Sequence, residues 1–151
     1  LKVIGDVAGF APELQTRIRA AEQSTQHNQA ITLVVAANYG GQWDVVQAFK
    51  NWQATHPEVS ASQLTQAKLA QHLSTAGMPD VDLLVRTGGE RRISNFLLWQ
   101  SAYAELYFVD VLWPDFDEVE LRKALASYTQ RTRRFGQTGE QINQQQTTQA
   151  G

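Results

Sequence analysis

The residues most able to do chemistry lie together in Arg86-Thr87-Gly88-Gly89-Glu90-Arg91-Arg92-Ile93-Ser94-Asn95. A guanidinium presents a planar fork that donates two hydrogen bonds at once, a good match for phosphate oxygens. The glycine pair lets the backbone turn tightly where a Cβ would clash. Ser94 is placed to cap a helix, whose free N–H groups and dipole also favour an anion. The segment therefore reads as a cradle for a phosphate or diphosphate. It is neither a Walker A loop nor a GxGxxG fingerprint, so it gives nucleotide binding no direct support. A surface turn with ordinary Arg–carboxylate pairs remains the plainer alternative.

Glu105 follows Ser94 by eleven residues. On one continuous helix the two would share a face but stand roughly 16 Å apart along the axis. One diphosphate cannot easily touch both. Glu105 could hold a Mg²⁺ that bridges to the diphosphate, act across a dimer interface, or be an exposed helix-end carboxylate. Asn38-Tyr39-Gly40-Gly41 could line the same cleft or be a plain turn. Arg131, Arg133 and Arg134, followed by Phe135-Gly136, close the last expected helix, where cations also complement the dipole. His27, His56 and His72 share no ligand spacing, and a closed zinc site wants four nitrogen or sulfur ligands. Trp43, Trp52, Trp99 and Trp113 read as core or interface anchors.

The elements that must position these residues alternate along the chain. Leu1 to Ile4 reads as a strand, and Pro12 opens an amphipathic helix to about Thr25. Ile31 to Ala37 is an apolar, β-branched run that suits a strand covered on both faces. A helix over about Trp43 to Ala54 presents Val45, Val46, Phe49 and Trp52. Ser60 or Ser62 caps the next helix, with Leu64, Leu69 and Leu73 as its apolar positions. Asp82 to Val85 is a short strand that ends at Arg86. A helix from Ser94 or Asn95 to about Ala104, a strand over Leu106 to Leu112 and a helix from Asp117 to Arg134 complete the order. Such alternation predicts an α/β fold, a mostly parallel sheet with flanking helices. Ligands in these sheets sit beyond the C-terminal strand ends, where both glycine-pair loops fall.

Composition narrows the function classes. At 151 residues with a net charge of −2, the chain suits one domain and argues against nucleic acid as a partner. With 0 cysteines there is no disulfide framework, which is compatible with a reducing compartment. No apolar run approaches the roughly 20 residues that span a bilayer. Beyond Gly136 the Gln- and Thr-rich segment has almost no apolar content and reads as a flexible tail over 137–151, after one domain over 1–136. Because Leu1 opens directly into a strand, the chain reads as the C-terminal part of a longer protein.

Several of these segments match a known signature in order. Asp82 to Glu90, Arg92 to Gln100, Ala102 to Phe108, Trp113 to Phe116, Ala37 to Gly41 and Arg133 to Gly136 together closely resemble the cis-prenyltransferases. The resemblance runs from Leu1 to about Gly136. It implies a homodimeric α/β enzyme, dependent on Mg²⁺, that condenses isopentenyl diphosphate with an allylic diphosphate such as farnesyl diphosphate in cis. The product implied is undecaprenyl diphosphate, a lipid-carrier precursor for cell-wall synthesis. A cytoplasmic location follows, with peripheral membrane contact through the lipid product. By the same resemblance Arg86, Arg92, Ile93 and Ser94 bind the isopentenyl diphosphate, and Glu105 is the Mg²⁺-linked glutamate. Arg134 and Gly136 match an Arg-x-Gly motif that reaches the partner subunit's diphosphate site.

The departures from the pattern are specific. The family's Asp-Gly-Asn-x-x-Arg-Trp loop, which carries the principal metal ligand, does not occur here, nor does a later Asn-x-x-Arg segment. The catalytic residues are therefore expected upstream, and this chain alone is expected to be inactive. Gln42 stands where an Arg is usual. Arg91 stands where some members have a metal-linked His, and Mg²⁺ prefers oxygen ligands, so Arg91 takes no metal role. The alternative reading is a non-catalytic dimer partner subunit of a cis-prenyltransferase.

Overall fold

A computed structural model describes residues 1–131, and the chain divides into two compact units. The first comprises residues 1–79 and 93–99, the second residues 80–92 and those from 100 onward. Each is built around a parallel pair of strands with helices, so the fold is α/β.

In the first unit β1 (Lys2–Ile4) runs parallel to β2 (Val34–Ala36), with Lys2 opposite Val34 and Ile4 opposite Ala36. The helix α1 (Pro12–Thr25) begins with Pro12 in its first turn, where a missing N–H costs nothing. It is tied to β1 through polar side chains. Glu22 Oε1 accepts from the Val3 N–H at 2.8 Å, and Thr25 Oγ1 accepts from the Leu1 ammonium at 2.9 Å. Those contacts satisfy donors that the ladder with β2 leaves over.

The second helix, α2 (Gly41–Thr55), buries Gly41, Asp44, Ala48 and Trp52, a stripe at spacings of three and four. This differs from the expected apolar face, since Val46 is exposed. The stripe can include a carboxylate because Asp44 is fully hydrogen-bonded: Ser74 N–H (2.9 Å), Ser74 Oγ (2.7 Å) and Tyr39 Oη (2.9 Å) all donate to it. The helix expected after Ser60 is split. Ser60 caps only a single 3-10 turn over Ala61–Gln63, and Thr65 caps α3 (Gln66–Ala70) by accepting from Lys68 N–H at 3.2 Å. Each short polar side chain offers the backbone a fresh start, so no single helix forms.

The run from Ile31 to Ala37 is not a strand covered on both faces. Only Val34–Ala36 pair, and Ile31 and Leu33 are 82% and 61% exposed. Among the described residues β2 has β1 as its one partner strand, which leaves the run's apolar side chains without cover.

In the second unit β3 (Leu83–Arg86) runs parallel to β4 (Glu105–Phe108), with Leu83 opposite Glu105 and Arg86 opposite Phe108. The last strand thus starts one residue earlier than expected and ends well before Leu112. The helix α4 (Glu118–Thr129) is capped by Asp117, which accepts from Glu120 N–H at 3.0 Å. Ala124, fully buried, marks the face of α4 turned inward. On the outer face the hydrogen bond to Glu120 raises Lys123 above its ordinary pKa. The expected extension of this helix to Arg134, and the expected tail, lie outside the described residues.

The helix expected over Ser94 to Ala104 does not form. Ser94, Asn95 and Leu97 have φ of 46°, 62° and 45°. Three left-handed residues in four cannot continue a right-handed helix, so the segment is a series of turns.

Candidate functional site

The site residues fall on both units, and each group is built locally. In the second unit Arg86 is the last residue of β3, delivered to the C-terminal end of the parallel pair. Gly88 and Gly89 then adopt φ of 85° and 77°, which a side chain would resist. Their N–H groups donate to Val111 O (2.9 Å) and Val109 O (3.1 Å). The chain leaving β4 spends its carbonyls on this loop, which explains why the strand stops at Phe108. Arg86 Nη1 donates to the Arg92 carbonyl and closes the loop on itself. Arg92 in turn pairs with Glu90. Both partners are about half-exposed or more, and such surface pairs are worth about 0–1 kcal/mol, so an incoming phosphate can displace the carboxylate.

Glu105 lies elsewhere in the same unit. It opens β4 and pairs in register with Leu83, three residues before the Arg86 row, about 10 Å along the strand. Alternation along the strands also puts Arg86 and Glu105 on opposite faces of the pair. The expectation that Glu105 ends a helix is corrected: it is a strand residue. Its carboxylate is engaged, accepting from Arg131 Nη1 at 2.8 Å, while the same Nη1 donates to Leu106 O at 3.0 Å.

These observations decide whether the residues present fit a Mg²⁺ site. Mg²⁺ takes oxygen ligands, usually one or two carboxylates with substrate phosphates and water. Among the described residues no three acidic or histidine side chains group together, and Glu105 is committed to an arginine. The described residues of this chain do not by themselves make that site.

In the first unit Ser94 sits in the Ile93–Trp99 turn segment and is not a helix cap; the dipole argument for it falls with the helix. Its neighbour Asn95 does the capping instead. Asn95 O accepts from Gly41 N–H at 2.6 Å, and Asn95 Oδ1 accepts from Gln42 N–H at 2.9 Å. Two of the four orphan donors at the start of α2 are thereby consumed from a segment 53 residues away. This contact explains the glycine at 41. A Cβ there would lie 2.8 Å from Leu98 Cγ, 2.9 Å from Leu98 N and 3.1 Å from Asn95 O. Sequence reasoning missed Asn95; its only local signal was a favoured left-handed residue type.

Beyond the ends of β1 and β2, Asp6, Asn38, Tyr39, Gly40 and Trp43 line an open cavity of about 310 Å³. Asn38 spans it by donating Nδ2 to Asp6 O at 3.1 Å. Tyr39 lies edge-on to Trp43 and to Phe96, with ring centroids 6.4 Å and 6.1 Å apart. Asn38, Tyr39 and Gly40 thus wall a cavity at a strand end. Arg134 and Gly136 lie outside the described residues.

Comparison with known proteins gives this arrangement its class. The family model described as "Putative undecaprenyl diphosphate synthase" matches residues 1–136. The chain is 56% identical to the Haemophilus influenzae ditrans,polycis-undecaprenyl-diphosphate synthase, (2E,6E)-farnesyl-diphosphate specific, over 91% of its length and 59% of the relative's. It is 46% identical to an isoprenyl transferase of Ralstonia nicotianae over 94% of its length and 55% of the relative's. Among solved structures, lavandulyl diphosphate synthase from Lavandula x intermedia, in complex with dimethylallyl diphosphate, superposes with a TM-score of 0.84. That match has 39% identity and covers 90% of this chain and 59% of the other. A probable undecaprenyl diphosphate synthase from Campylobacter jejuni superposes at 0.78 with 32% identity, over 89% and 62% of the two chains.

The chain belongs to the cis-prenyltransferase family. It spans a little over half the length of the curated relatives it matches, 59% and 53% of two of them.

Proposed function

We propose that the whole protein condenses isopentenyl diphosphate with farnesyl diphosphate in cis to make undecaprenyl diphosphate, and that this chain contributes the binding of isopentenyl diphosphate. The observation that carries the reading is Arg86 at the C-terminal end of a parallel strand, held over a loop of two left-handed glycines. The identity to a farnesyl-diphosphate-specific synthase supports the choice of substrates.

In the reaction the allylic carbon–oxygen bond breaks and diphosphate leaves. The double bond of isopentenyl diphosphate forms the new carbon–carbon bond, and a proton is then lost. The part assigned to this chain is positional and electrostatic. Arg86 and Arg92 hold the diphosphate of the isopentenyl unit through paired N–H donors, Arg92 exchanging Glu90 for phosphate. Ile93 and Ser94 complete that binding set, and Arg134 and Gly136 reach the diphosphate site of a second copy in a homodimer. The described residues do not form a Mg²⁺ site at Glu105. If the glutamate serves the metal, it does so with ligands from a partner copy or from further chain.

The protein is read as acting in the cytoplasm, touching the membrane through its lipid product. No described helix is long and apolar enough to cross a bilayer.

The test is transfer of labelled isopentenyl diphosphate onto farnesyl diphosphate by the full-length protein. Arg86→Ala is expected to raise KM for isopentenyl diphosphate at least tenfold, with KM for farnesyl diphosphate and the circular dichroism spectrum unchanged. An unaltered KM for isopentenyl diphosphate would sink the assignment of Arg86. Activity recovered only on adding a longer homologue would favour the accessory-subunit reading.

A further inference from the structure

The first unit carries a second, smaller cavity that the prenyl-transfer reading does not use. It encloses about 230 Å³ at the C-terminal end of α2, against α3. The strand-end cavity lies at the other end of the same helix, about 20 Å away along a helix of this length.

Its floor is Trp52, which is 1% exposed. His56 stacks on that indole, with ring centroids 5.6 Å apart and planes at 18°. His72 stands edge-on to His56 at 6.2 Å. Lys68, Gln63 and Gln71 supply the polar wall. The Lys68 ammonium is positioned by donating to Gln63 O at 3.0 Å, which uses one of its three N–H bonds.

The charge pattern selects the ligand. The wall holds one permanent cation, two imidazoles and two amides that can donate. No aspartate or glutamate lines the cavity. His56 is anchored, its Nδ1 lying 3.0 Å from both Trp52 O and Thr55 Oγ1. No hydrogen bond fixes the His72 ring among the described residues, so both its nitrogens remain available to a ligand. Two histidines without a third ligand are a poor metal site, and no group of three metal-ligating side chains exists among the described residues.

We propose that this cavity binds a small oxyanion-bearing molecule, a phosphate ester or a carboxylate, gripped by Lys68 and His72 over the Trp52–His56 stack. The site is independent of the diphosphate loop. His56 at the end of α2, His72 after α3 and Lys68 on α3 are the titratable and charged groups that face it.

The experiment is NMR of the histidine side chains in the full-length protein, titrated in parallel with inorganic phosphate, phenyl phosphate and benzoate at one fixed pH. The expected result is saturable shifts of the His56 and His72 resonances. Preference for phenyl phosphate over benzoate would identify the phosphate ester as the ligand; the reverse order would identify the carboxylate. Lys68→Met and Gln71→Glu, both at exposed positions, are each expected to weaken binding at least tenfold while leaving the fold and prenyl transfer intact. Arg86→Ala is expected to leave the histidine shifts unchanged, which separates this site from the diphosphate loop. Absence of saturable shifts with all three probes, or shifts that survive both Lys68→Met and Gln71→Glu, would overturn the proposal.

Discussion

At the scale of single residues, the structure rewards side chains that close a local account. Asp44 is the clearest case. It is 1% exposed and takes hydrogen bonds from Ser74 and Tyr39, joining the loop before α2 to the turn after α3. Removing it would strand the Ser74 N–H in the interior. Asp44→Ala is therefore expected to lower stability by about 2–4 kcal/mol, a sum of lost charge-assisted bonds and an unmet donor, read as a shift in the urea midpoint. Asp44→Asn keeps one acceptor and is expected to fall between the variant and the parent. Nothing local in the sequence singles out Asp44. Burial of a carboxylate follows from which distant donors arrive, and Ser74 is 30 residues away. The strand end at Arg86 and the glycine turn after it were legible because both signals are local.

At the scale of elements, legibility tracked how much of the signal was local. Pro12 and the apolar spacing after it predict a helix to about Thr25, and α1 ends there, although none of its residues is fully buried. Asp117 was expected to open the last helix, and it does so by capping α4 at Glu120 N–H. Asp117→Ala is expected to cost about 1 kcal/mol, the usual worth of such a cap, measurable as a loss of helical ellipticity and of melting temperature. The missed helix after Ser94 failed for the opposite reason. Phe96-Leu97-Leu98-Trp99 has helical composition, but Asn95 spends its carbonyl and side chain on the first turn of α2. That commitment fixes left-handed backbone at Asn95 and its neighbours, and no local propensity outweighs it. Glu105 moved from helix end to strand as a direct consequence.

At the scale of the whole molecule, the apolar surface is the dominant feature. Ile31, Leu33, Leu112, Trp113 and Tyr103 are each more than 60% exposed. Trp113 stacks on Phe116 with planes at 8° and still presents its ring outward. Two-stranded pairs offer little cover, and unpaired strand edges template association. The 151-residue chain in isolation is expected to self-associate, visible as a concentration-dependent sedimentation coefficient and binding of a hydrophobic dye. A sharp, concentration-independent monomer would contradict this. The sequence showed where apolar residues were and that parallel strands would hold them. It could not show that Ile31 and Leu33 lie beyond the paired residues, because cover is a property of neighbours in space.

The close seat of residue 41 also constrains how this sequence can drift over generations. A methyl group there meets three atoms, and two of them, Leu98 N and Asn95 O, are main-chain. Trimming Leu98 would clear one obstacle and leave the others in place. An alanine at 41 therefore requires the main chain of the 93–99 turn to move, whatever side chain stands at 98.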